Sequence, residues 1–101
     1  MVIPEEELEI KWDAESACFD WSAVFGNSNP VEIEIGIGKG RFLINSARSN
    51  PEVNYLGIEW AKKYINIARH RAAMCELINI RFLKENANLS ILSRFNKRRK
   101  K

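Results

Sequence analysis

Apolar residues in this chain recur in two rhythms. Val31, Ile33 and Ile35 alternate with Glu32 and Glu34, the period of two of a β-strand. Short apolar runs at Asn54–Ile58, ending on Glu59, and at Ile80–Leu83 read as two more strands. Between them the period changes. Leu43 and Ala47 share one helical face with Phe42 and Ile44 beside it, and Ile65, Ala68 and Ala72 form a second helical stripe. These patterns predict a helix from Gly40 to about Arg48, closed by Ser49-Asn50-Pro51, and another from Ala61 to about Glu76. Leu89 to Phe95 reads as the start of a third. Upstream the pattern is weaker. Asp20 suits an N-cap and Gly26 a stop for a short helix, with Trp21 and Phe25 on one face, where they would cover the sheet edge. Gly26 to Pro30 is a loop by composition, and Glu5 to Trp12 reads as an exposed extended arm or a short helix.

The order β-α-β-α-β-α has a topological consequence. Right-handed crossovers place the three strands parallel in the order 3-2-1, the first half of a doubly wound, Rossmann-like α/β fold. Strand one would then carry an unpaired outer edge, which makes self-association through that edge an expectation. The chain divides into an N-terminal arm and short helix (1–29), a partial nucleoside-cofactor domain (30–95) and a basic tail (96–101).

Composition changes this picture little, and charge changes it more. With 101 residues and a 46% hydrophobic share, the chain can form one small domain with a core. The net charge of +3 belongs to the end: Lys97, Arg98, Arg99, Lys100 and Lys101 take 5 of the 16 basic residues, leaving 11 against 13 acidic ones. The body is thus slightly acidic, and the tail is either solvated or a contact for nucleic-acid phosphate. Cys18 and Cys75 lack a neighbouring Cys or His and read as reduced packing residues rather than metal ligands or a disulfide. No apolar stretch suits a secretory signal or a membrane span, so the expected compartment is the cytoplasm.

The chemistry concentrates at Glu34-Ile35-Gly36-Ile37-Gly38-Lys39-Gly40. Three alternate glycines between a strand and a helix give backbone freedom and bare amides on which a ligand can lie. Roughly twenty residues on, Glu59 closes the second strand, where a βαβ unit grips a ribose. The spacing lacks the longer gap of the dinucleotide fingerprint, so it suits a ligand without phosphate. S-adenosylmethionine is such a ligand. Its carboxylate would meet the loop amides, and its ammonium and sulfonium would be drawn to an acid such as Glu34. Trp60, next to Glu59, could line an adenine pocket. Lys39 and Arg41 could meet an anion, although solvated side chains are the simpler reading. Lys62, Lys63, Arg69 and Arg71 read as a solvated helix face, and His70, with no carboxylate near it in sequence, as a surface residue rather than a catalytic base. Trp12, Trp21 and Trp60 could stack on bases, though Trp21 suits the core better. A dinucleotide-binding domain and a non-catalytic module that holds cofactor or RNA stay open as alternatives.

The run Pro30 to Gly40, continued by Asn50-Pro51 and Tyr55-Leu56-Gly57-Ile58-Glu59, resembles the bacterial tRNA (guanine-N7)-methyltransferases. The similarity runs from about Trp21 to Leu92. It implies a class I methyltransferase fold, S-adenosylmethionine as methyl donor and a guanine in the variable loop of tRNA as acceptor. It also implies cofactor-binding roles for Glu34, the turn at Gly36, Gly38 and Gly40, Glu59, and Asn86 with Ala87 at the adenine edge. Guanine N7 is already nucleophilic, so the implied reaction is one displacement that depends on positioning more than on a base. The family's fourth strand, its Phe-Pro-Asp-Pro-Trp motif and the carboxylate that holds the guanine have no counterpart here. The resemblance therefore implies an N-terminal portion that holds no catalytic residue and is inactive alone.

Overall fold

A computed structural model describes residues 2–10 and 20–86. Trp12, Cys18, Ala87, the expected helix at Leu89–Phe95 and the basic tail lie outside the described residues. The described elements are a turn of 3-10 helix (Glu5–Leu8), α1 (Trp21–Phe25), β1 (Val31–Ile35), α2 (Arg41–Ser49), β2 (Asn54–Glu59), α3 (Lys62–Met74) and β3 (Ile80–Lys84). The strands form one parallel sheet with β2 in the centre and β1 and β3 flanking it, the predicted order. Register aligns Glu34 with Gly57 and Glu59 with Lys84. No helix among the described residues is long and apolar enough to cross a membrane.

The sheet divides two cores. Tyr55, Ile80 and Phe82 face α2 and α3, where Leu43, Ala47, Ile65, Ala68 and Ala72 meet them. On the other face Leu56, Ile58 and Leu83 pack against Trp21 and Phe25. Asp20 caps α1 through its carboxylate, which accepts from the Ala23 N–H, and Gly26 closes it in the left-handed region. Trp21 and Phe25 cover this second face, not the sheet edge, because the apolar surface left bare by α2 and α3 lies there. All β2 residues before Glu59 are buried, as expected of a strand paired on both sides and covered on both faces. β1, paired on one side, is half-buried and leaves Ile35 45% exposed. Among the described residues no strand pairs with its outer edge.

Further expectations need correction. The arm at Glu5–Ile10 is docked, not exposed. Leu8 is fully buried in the helix-side core, Glu9 forms a bridge with Phe82, and the Ile10 N–H donates to the Phe82 carbonyl at 2.8 Å. Hydrophobic burial of one leucine and two backbone contacts outweigh the solvation that a run of glutamates suggests. Two of those glutamates have partners on α3: Glu9 accepts from Arg69 and Glu5 lies 3.1 Å from His70 Nδ1, so Arg69 is no solvated cation and His70 does have a carboxylate beside it. Cys75 follows α3 and is exposed, not packed, since the apolar stripe of α3 ends at Ala72.

Two buried polar residues hold the frame. Asn79 donates to the Ala47, Asn50 and Val53 carbonyls, satisfying the end of α2 and the loop into β2. Arg81, whose pKa burial lowers, donates to the Ile78, Ile80 and Val24 carbonyls and lies 5.0 Å from the centre of the Phe25 ring.

Candidate functional site

The polypeptide leaves β1 through the glycine turn, and backbone bonds fix its path. The Gly36 N–H donates to the Ile58 carbonyl at 2.8 Å, carrying the β1–β2 ladder one residue past the strand. The Gly40 N–H donates to the Ile37 carbonyl at 3.0 Å, and the Gly40 carbonyl accepts from Ile44 to start α2. Gly36, Gly38 and Gly40 all have positive φ, at 73°, 59° and 84°. At Gly40 glycine is also required by space: an added Cβ would lie 2.7 Å from the Ala68 Cβ of α3. At Gly36 and Gly38 an added Cβ would meet nothing within 4 Å. The turn therefore has a packed base and an open rim.

Glu59 joins that turn to the next crossover. One carboxylate oxygen accepts from the Gly38 N–H at 2.8 Å and the other from the Ala61 N–H at 3.0 Å. The side chain thus spans from the rim to the entrance of α3. A carboxylate offers about four lone-pair sites, so roughly two remain for hydroxyl donors from a ligand. The neighbouring Glu85 N–H donates to the Glu59 carbonyl at 3.2 Å, which brings the exit of β3, and Asn86 after it, beside Glu59. Trp60 is 60% exposed, and the Lys84 ammonium lies 4.6 Å from its ring centre. That cation–π contact escaped the sequence reading, because it depends on the Glu59–Lys84 register, which no local pattern encodes.

Glu34 sits apart from this group. Strand parity puts it on the same sheet face as Gly57, hence as Glu59. Its side chain lines a cavity of about 210 Å³ beneath α2 with Phe42, Leu43, Ser46 and Tyr55, a cavity that neither the glycines nor Glu59 line. One carboxylate oxygen is buried with no partner, and burial raises the pKa of the group. The structure thus gathers Gly36, Gly38, Gly40, Glu59, Trp60 and Asn86 at the carboxyl ends of the strands, and gives Glu34 an adjoining pocket of its own. Among the described residues there is no group of three or more side chains able to hold a metal.

A parallel α/β sheet with a glycine turn after β1 and an acid from β2 folded onto it defines a Rossmann-like unit, the N-terminal part of a class I methyltransferase fold. The chain belongs to the methyltransferase family described as "Putative methyltransferase", which matches residues 28–100. That match begins after Trp21 and runs beyond Leu92 through most of the basic tail. The chain is similar to the tRNA (guanine-N(7)-)-methyltransferase of Bacillus licheniformis, at 46% identity over 68% of this chain and 32% of that one. It is similar at 45% to the protein of the same name from Listeria innocua, again over 68% and 32%, and at 43% to that of Oceanobacillus iheyensis, over 74% and 35%. The chain thus spans about a third of the length of these curated relatives. The resemblance carried by Pro30–Gly40, Asn50-Pro51 and Tyr55–Glu59 agrees with these matches.

Proposed function

We propose that this chain is the methyl-donor portion of an S-adenosylmethionine-dependent tRNA (guanine-N7)-methyltransferase of the cytoplasm. The observation that carries the reading is the Glu59 carboxylate held against the Gly38 amide, with acceptor capacity left over at the mouth of the strands. The residues fit the cofactor in three respects. The rim at Gly36 and Gly38 leaves open space for a ligand against the turn, its own two amides being already bonded to Ile58 and Glu59. Glu59 is oriented for ribose hydroxyls, and the two hydrogen bonds it accepts from backbone N–H groups fix that orientation before any ligand arrives. Trp60 offers an exposed ring face for adenine, with Asn86, beside Glu59, for the edge of the base. Outside this group, in the adjoining pocket beneath α2, the buried unpartnered oxygen of Glu34 would accept from an ammonium that reaches it.

When bound, the cofactor supplies an electrophilic methyl group on a sulfonium. The chain's own part is positioning: the open glycine turn and Glu59 hold one reactant so that a nucleophile meets it in line. No residue of this chain is assigned to steady the guanine, and the chain spans only about a third of the relatives' length. We accordingly expect no methyl transfer to tRNA from the 101-residue chain alone.

The test is S-adenosylmethionine binding by titration calorimetry to the wild type and to Glu59→Gln. Losing one charge-assisted acceptor should weaken binding by about tenfold. Equal affinities, or no binding by the folded wild type, would remove the reading.

A further inference from the structure

Beyond the glycine turn, the largest cavity described lies between α2 and α3, a groove of about 350 Å³. Arg41, at the start of α2, and Arg71, in the last turn of α3, bring two guanidinium groups to it. Ile44, Met74 and Cys75 give it an apolar lining. No carboxylate lines it among the described residues. His70 at its wall is already matched by Glu5, and Glu5 and Glu9 of the arm are committed to Arg69 and His70, while Glu6 and Glu7 are exposed and line no part of the groove. Neither Arg41 nor Arg71 has a carboxylate within ion-pair distance among the described residues. The acidic arm therefore neutralises one side of α3 and leaves the side toward α2 cationic. The groove also touches the glycine turn, since Arg71 Nη1 donates to the Lys39 carbonyl at 3.5 Å.

We propose that this groove binds single-stranded RNA, with a phosphate on Arg41 and Arg71 and the attached base against Ile44, Met74 and Cys75. Two guanidinium groups over an apolar floor match the two parts of a nucleotide. A guanidinium plane also stacks on bases, which a lysine ammonium does not do as well. A run of acidic side chains would satisfy the arginines but has no flat apolar part to cover the floor. The choice of RNA rests on the tRNA reading above; the groove and its charge do not. Because the groove begins at Arg41, next to Gly40, RNA held there lies close to the proposed methyl-donor site.

The experiment follows binding of a fluorescein-labelled oligouridylate to the 101-residue chain across a salt series. The double variant Arg41→Ala/Arg71→Ala should weaken binding roughly tenfold at low salt and lower the slope of log affinity against log salt by about 0.7 per arginine. The control Arg48→Ala/Lys63→Ala removes the same charge from exposed sites outside the groove and should change both values far less. Cys75 provides a second readout at the groove itself. Its alkylation rate, resolved from that of Cys18 by peptide mass, should fall when the oligouridylate is added. An equal loss in the two double variants, or no protection of Cys75, overturns the proposal. Protection by oligoglutamate but not by oligouridylate overturns it in favour of a protein partner. S-adenosylmethionine affinity of the same variants should be unchanged, and its absence in the wild type would sink the cofactor reading without touching this one.

Discussion

The rim and the base of the glycine turn need glycine for different physical reasons. At the base, Gly40 meets α3, and Gly57 on β2 lies beneath α2, where an added Cβ would approach Leu43 Cδ2 to 2.5 Å and Ile37 to 3.0 Å. At the rim, Gly36 and Gly38 face open space. Missing side chains at the base let helices approach the sheet and each other, so they serve the fold. Those at the rim leave open space against the turn, where a ligand can lie although the Gly36 and Gly38 N–H groups already donate to Ile58 and Glu59, so they serve a ligand. A motif that looks uniform in sequence is thus two devices, and substitution separates them.

The largest effect is expected at Gly40→Ala, where a left-handed backbone and a 2.7 Å approach to Ala68 act together. It should cost about 2–4 kcal/mol, read as a lower urea midpoint by circular dichroism. Gly57→Ala meets the same crowding without a positive φ and should cost about 1–3 kcal/mol. If either is neutral, the packed base is not packed. Gly38→Ala adds a Cβ to open space at φ 59°, so only the backbone term of about 1–2 kcal/mol applies. The variant should stay folded yet lose most of its S-adenosylmethionine affinity, and retained affinity would break the division between rim and base.

The converse case is Glu76. It follows α3 at φ 56°, and the Glu76 and Leu77 amides donate to the Ala73 and Ala72 carbonyls, the bonding of a Schellman cap with a glutamate where glycine is favoured. Glu76→Gly should therefore raise stability, by about 1 kcal/mol in the same denaturation assay. The smallest effect concerns Glu34. Burial raises its carboxyl pKa, so the folded chain holds that proton more readily than the unfolded chain does. Its contribution to stability is then lost as pH rises from the unfolded value through the raised one. Glu34→Gln removes the charge and should exceed the wild type in urea midpoint at neutral pH, with the gap closing in acid below about pH 4. A gap that widens in acid would show that the carboxylate has a stabilising partner.

Much of the sheet was legible because its information is local. The alternation at Val31–Ile35, the apolar runs of β2 and β3 and the stripes of α2 and α3 each fall within one element, and the crossover rule then orders the strands. The glycine turn and Glu59 were legible as candidates for the same reason. The docked arm was not. Leu8 reaches the core and Glu9 reaches Arg69 across a separation in sequence that no periodicity spans. Nor was the Lys84 cation over Trp60, or the hold of Asn79 on the end of α2.

Taken alone, the amino-acid order determined which segments become strands and helices, where the chain must bend at glycine, and which acids stand at strand ends. These follow from side-chain period, backbone sterics and crossover handedness. Only the folded arrangement decided that Glu59 grips the Gly38 amide while Glu34 occupies a pocket of its own, and that one face of α3 is neutralised while the other stays cationic. Those outcomes depend on which distant residues come within hydrogen-bonding reach, and a separation of a few ångströms in space leaves no trace in local sequence.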